Sequence, residues 1–132
     1  MKAIYVILIS VSFLLSACST EPESNNNNIF VVKVDKIELS KEITLGDTLA
    51  INFFGTIGYN GGYSFERFEN SVIDNQINLR VWGKYTPNSK QTAVIVTLDG
   101  QKYSIAPINK GNYKVSVRQP DNSILESVVL VK

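Results

Sequence analysis

Gln76-Ile77-Asn78-Leu79-Arg80-Val81-Trp82-Gly83-Lys84 alternates apolar and polar side chains from Ile77 to Val81. A period of two puts Ile77, Leu79 and Val81 on one side of an extended chain and Asn78, Arg80 and Trp82 on the other. That is the pattern of a strand with one face in a core and one face toward water. The same period recurs on both sides of this stretch. Leu49, Ile51, Phe53 and Ile57 oppose Thr48, Asn52 and Thr56, as in a half-buried antiparallel strand. Thr92 to Leu98 is a β-branched run, Tyr103 and Ile105 follow, and Asp99-Gly100 between them reads as a hairpin turn. Tyr113, Val115 and Val117 alternate, Pro120-Asp121-Asn122-Ser123 makes a turn, and Ser127 to Val131 closes the chain. Val32 to Leu39 and Tyr63 to Phe68 complete a set of about eight strands. No ten-residue stretch keeps a helical period.

The expected fold is therefore all-β. A single Greek-key sandwich of about 7–8 strands, immunoglobulin-like in type, fits this spacing, and a small barrel is the alternative. Lys110-Gly111-Asn112-Tyr113 resembles the Gly-x-Tyr entry to the penultimate strand of many such sandwiches. The resemblance implies a structural Tyr113 whose hydroxyl satisfies backbone at a corner.

Upstream of the strands, Lys2 precedes the apolar run Ala3 to Leu14, which is shorter than the roughly 20 residues a helix needs to cross a bilayer and is diluted by serines. Leu15-Ser16-Ala17-Cys18 ends it and holds the only cysteine. All four positions match the lipobox, so the chain resembles a small bacterial lipoprotein. That resemblance implies residues 1–17 as a cleaved signal peptide and Cys18 as an acylated N-terminus. Two or three acyl chains, at about 0.8 kcal/mol per buried CH₂, anchor firmly where one does not. Acylation also removes the odd thiol that an exported chain with one cysteine would carry. Residues 18–28 then form a lipidated, polar tether with a reach of about 17 Å. Ser19 after the cysteine resembles lipoproteins sent on to the outer membrane of diderm bacteria. Glu21 and Glu23 resemble the acidic export signal of surface lipoproteins in Bacteroidota. The domain expected on this tether spans residues 29–132, a size suited to one core.

Composition removes most chemistries. The chain has no histidine, so His-based triads, His metal ligands and the commonest base near neutral pH are absent. No Ser-x-x-Lys spacing and no Gly-x-Ser-x-Gly elbow occurs. The net charge of +1 falls to zero once Lys2 is removed, which leaves no electrostatic case for nucleic acid. Glu66, Glu69, Asp74, Asn75 and Asn78 supply oxygens but match no cation-binding loop, and they read as solvated residues at strand ends. No catalytic residue, metal site or cofactor is expected.

Two regions remain as binding candidates. Gly55-Thr56-Ile57-Gly58-Tyr59-Asn60-Gly61-Gly62 reads as a glycine-rich connection at one end of the sandwich, a tight turn or a rim loop presenting Tyr59 and Asn60 to a partner. Trp82 falls on the polar parity of its strand and Phe54 on the outward parity of its own, so with Tyr85 they make a possible exposed aromatic patch. A bulge that turned Trp82 into the core, or a place over a sheet edge, is the alternative. The expected function is a noncatalytic, lipid-anchored binding module of the cell envelope with a protein or glycan partner. An envelope protease inhibitor of the chagasin type, which the loop Gly58 to Gly62 resembles, and a structural subunit of an envelope assembly are the other readings. The Asn-Pro-Thr-Thr-Gly and Arg-Pro-Trp motifs of chagasin are absent, so no inhibitory residue carries over.

Overall fold

The computed structural model describes residues 28–87 and 92–132. The expected signal peptide, Cys18 and the expected tether up to Asn27 lie outside the described residues. Within them the protein is all-β, with eleven strands: β1 (Ile29–Val31), β2 (Lys36–Glu38), β3 (Glu42–Ile43), β4 (Leu49–Phe54), β5 (Thr56–Asn60), β6 (Tyr63–Ile73), β7 (Gln76–Tyr85), β8 (Ala93–Thr97), β9 (Lys102–Ile105), β10 (Gly111–Arg118) and β11 (Ile124–Val131).

β7 organises a six-stranded sheet. One edge of β7 pairs with β6 along its whole length, antiparallel, from Tyr63↔Tyr85 to Ile73↔Gln76. The other edge is shared. β1 pairs antiparallel with Trp82 to Lys84, and β10 runs parallel beside Gln76 to Leu79. β11 pairs antiparallel with β10, and β3 runs parallel to the end of β11. A second, three-stranded sheet has β4 between β2 and β9, and β5 with β8 forms a two-stranded ribbon.

The inward faces share one core. Ile77, Leu79 and Val81 of β7, Val115 and Val117 of β10 and Val129 of β11 pack in one cluster with Leu49, Ile51 and Phe53 of β4. Two sheets closing over a common apolar layer give a β-sandwich, in which period-two alternation buries one side of every central strand. Tyr113 is buried among them, and its hydroxyl accepts a hydrogen bond of 3.1 Å from the backbone N–H of Asn109, the corner role expected of it.

Three connections differ from the sequence expectation. The single strand expected over Val32 to Leu39 is divided, because the chain crosses from one sheet to the other. Val32 N–H still donates to Val81 of β7 (2.9 Å), whereas Asp35 N–H already donates to Phe54 of β4 (2.8 Å). Val34 lies between the two ladders, buried, and the amide of Gln119 serves both of its backbone groups. Val34 N–H donates to Gln119 Oε1 and Gln119 Nε2 donates to Val34 C=O, each at 2.9 Å. Backbone polar groups inside a fold need partners, and here a side chain replaces a strand. The loop of the Pro120 turn that carries Gln119 is itself braced. Ser123 donates through its N–H and hydroxyl to Asp121 Oδ1, which holds the Asp121 carboxyl below the usual carboxylate range.

The glycine-rich segment is not simply a connection, since Thr56 to Asn60 is a strand paired with β8. Gly58 is needed where it stands because a Cβ there would lie 2.1 Å from Cγ of Tyr63, whose ring packs on the bare backbone. Asp99-Gly100 is not a hairpin reversal either. β4 pairs with β9 and β5 pairs with β8, so the same two lengths of chain remain antiparallel on both sides of it. The extra residues make a jog, closed by Gln101 N–H donating to Leu98 C=O (2.8 Å), and Leu98 drops fully into the core. A bulge of this kind bends a ladder instead of ending it.

Candidate functional site

The face of the six-stranded sheet that points away from the core carries an unusual set of side chains. Arg67, Arg80 and Arg118, the three arginines of the chain, all belong to it. They arrive by alternation and register. On β7, Asn78, Arg80 and Trp82 face outward opposite Ile77, Leu79 and Val81. On β6, Ser71, Glu69 and Arg67 sit beside them as direct cross-strand partners. The parallel pairing of β10 with β7 sets Ser116 next to Asn78, and β11 brings Glu126 next to Ser116 and Ile124 next to Arg118.

A register bulge between Phe65 and Arg67 makes this arrangement possible. Phe65 and Phe68 are three apart, so strict alternation would send them to opposite faces. The extra residue lets both rings pack on the core, with centroids 4.8 Å apart, while Arg67 stays outside against Trp82.

Trp82 is half-buried and outside the core cluster, so the outward parity holds. Its Nε1–H donates to Glu69 Oε2 at 2.7 Å, and the guanidinium carbons of Arg67 and Arg80 lie 5.3 and 5.7 Å from the ring centroid. Contacts of this kind at exposed sites contribute about 0.5–1 kcal/mol each. Arg80 also reaches Glu69, but only at 3.9 Å.

Beside Trp82 the surface sinks into a groove of about 340 Å³ between Glu69, Arg80, Asn78, Ser116, Arg118 and Ile124. Ser116 forms part of its floor. It is 5% exposed, and its Oγ is the one buried side-chain polar atom among the described residues without a hydrogen-bond partner. Arg118, at the same end, has no ion pair among the described residues. Lys114 and Glu126 pair with each other at 2.7 Å along the adjoining rim.

The other residues singled out from the sequence lie elsewhere. Phe54 is on the three-stranded sheet, with Lys36 Nζ 4.9 Å from its ring centroid. Tyr85 is on the opposite parity from Trp82 and stacks on Tyr63, centroids 4.7 Å apart. Phe54, Trp82 and Tyr85 therefore occupy three separate settings and form no common patch. Tyr85 does share a second, open groove of about 530 Å³ with Tyr59, Tyr63, Phe30 and Ile57. Tyr59 is 73% exposed at its rim. Asn60 is committed to the local turn, its Oδ1 accepting from Gly62 N–H at 2.9 Å. Asn28, the first described residue, lies on the same groove, its carbonyl accepting from Tyr85 N–H.

No group of three or more metal-ligating side chains is found among the described residues. Ser116, Arg118 and Arg80 were not singled out by sequence reasoning, although the alternation of Asn112, Lys114, Ser116 and Arg118 against Tyr113, Val115 and Val117 already assigns them to one face. What that alternation lacks is the register that sets β10 beside β7. No known protein family, curated protein or solved structure matches this chain.

Proposed function

We propose that the protein is a lipid-anchored, noncatalytic binding module of the cell envelope, built on an immunoglobulin-like sandwich and holding its partner on the outer face of the six-stranded sheet. One observation carries the binding half of this reading. Two of the three arginines of the chain, Arg80 and Arg118, line one groove with a buried, unpartnered hydroxyl, and the third, Arg67, lies on the only tryptophan beside it. Sheet faces that serve only to cover a core have no need of a buried polar atom without a partner, which is destabilising by about 1–3 kcal/mol. The anchoring half rests on the lipobox at Cys18, and Ser19 supports delivery to an outer membrane.

Fractionation of cells producing the native chain and Cys18→Ser, followed by protease shaving of intact cells, tests the anchor. Native protein held in the membrane and Cys18→Ser released from it is the expected result; equal retention of both refutes lipidation. Exposure of the domain to shaving places the partner outside the cell, and protection places it in the periplasm. The binding half is tested by probing full-length protein, and Trp82→Ala beside it, against an array of envelope and extracellular glycans. Binding that Trp82→Ala weakens supports the reading, and an array without any bound glycan counts against it.

A further inference from the structure

We propose that the groove above Ser116 takes a carboxylate-bearing saccharide unit of the hexuronic acid class, with the carboxylate at Arg118 and Arg80 and ring hydroxyls at Asn78, Ser71 and, once a χ1 rotation turns its sealed Oγ out to the groove, Ser116. The inference rests on the binding-module reading and names its ligand chemistry.

Arg118 is a fixed cation without an ion-pair partner among the described residues, and Arg80 is held by Glu69 only at the long distance of 3.9 Å. Two guanidinium groups at one end of a groove select an anion, and the planar fork of arginine matches a carboxylate in a bidentate contact. Glu69 limits how much negative charge the site accepts. Its carboxylate is turned toward Trp82 Nε1 at 2.7 Å, yet it remains on the groove wall and opposes a densely charged chain. A ligand with one carboxylate per unit suits that balance better than a polyphosphate does.

The rest of the lining is neutral and polar on the floor and apolar on one side. Ser116 Oγ lacks a partner, and Asn78 is held only through weak or local contacts, donating to Ser71 Oγ at 3.5 Å and accepting from Gln76 Nε2 at 3.0 Å. Hydroxyls and amides that both donate and accept are the groups that recognise sugar hydroxyls. Ile124, half exposed at the rim, offers an apolar wall to the C–H face of a pyranose. The groove volume of about 340 Å³ fits a small unit and not an extended peptide.

The test is calorimetric titration of the full-length protein in detergent with a trimer of galacturonic acid, its neutral galactose counterpart and a sulfated galactose trimer. The uronate is expected to bind, the neutral sugar at least about tenfold more weakly, and Arg118→Gln to lose about tenfold on the uronate alone. Lys36→Gln, on the other sheet, is the charge control and keeps wild-type affinity. Circular dichroism confirms that each variant is folded. Equal affinity for uronate and neutral trimers, stronger binding of the sulfated trimer, or an Arg118→Gln protein that binds as well as wild type each overturns the acid assignment. Because glycan capture in the array does not depend on uronates, loss of the uronate claim with a neutral or sulfated ligand still bound leaves the binding-module reading standing.

Discussion

The two faces of the six-stranded sheet are made by the same strands and obey opposite rules. On the inner face Ile77, Leu79, Val81, Val115 and Val117 exclude solvent, and the large polar side chain among them, Tyr113, has its hydroxyl bonded to Asn109. On the outer face, one residue away along the same strand, Ser116 is nearly as buried and has no hydrogen-bond partner among the described residues, while Arg118 has no ion pair among them. The inner face is what a sequence needs in order to fold. The outer face contains polar groups that folding alone leaves unsatisfied, and such groups collect at sites that bind something.

The largest expected effect separates neighbouring residues on opposite faces. Ile77→Ala removes a fully buried side chain between the two sheets and should lower the unfolding free energy by about 2–5 kcal/mol in urea denaturation. Asn78→Ala, one position along, should change it by less than about 1 kcal/mol, since its contacts are at the surface. Comparable losses at both positions would mean that the outer face belongs to the core and would break the comparison.

A smaller effect is expected where the two sheets exchange strands. Gln119→Ala leaves Val34 N–H and C=O without their partners in a part-buried crossing, which should reduce stability by about 1–3 kcal/mol. Hydrogen exchange of the Val34 amide sharpens the reading, because protection there should fall in Gln119→Ala while Val81 and Val115 stay protected as in wild type. An unchanged Val34 amide would show that the crossing is held by the flanking ladders and not by the glutamine.

That crossing also marks the limit of what local pattern conveys. Alternation alone assigns the faces of β7 and β10, puts Trp82 outside and Tyr113 inside, and separates turn from strand at Pro120 to Ser123. It reads Val32 to Leu39 as one strand although the apolar parity shifts between Val34 and Ile37, and only the pairing shows that the partners change there from β7 to β4. It misjudges Asp99-Gly100 for a related reason. A bulge and a hairpin turn use the same residues, and only the pairing of β4 with β9 and β5 with β8 tells them apart. The aromatic patch fails because Phe54 and Trp82 share an outward parity but belong to different sheets. The site itself depends on the parallel register of β10 on β7, a contact between residues nearly forty positions apart in the chain. Periodicity says which side a residue faces; pairing says whom it meets.

The smallest expected change in stability is also the most discriminating. Ser116→Ala deletes an oxygen that is shielded from water and has no hydrogen-bond partner, and it leaves only a small void. A buried polar atom in that state is desolvated without compensation, so its removal should leave stability unchanged or raise it by up to about 1 kcal/mol. Every substitution on the inner face should do the reverse. The same variant should weaken uronate binding several-fold, because it removes the hydroxyl that turns out of the sheet to meet the sugar. Gain in stability with loss of affinity is the signature of a residue kept for its ligand and not for its fold. A destabilisation of more than about 1 kcal/mol would instead show that Ser116 is satisfied within the folded protein, and the two faces of the sheet would then follow a single rule.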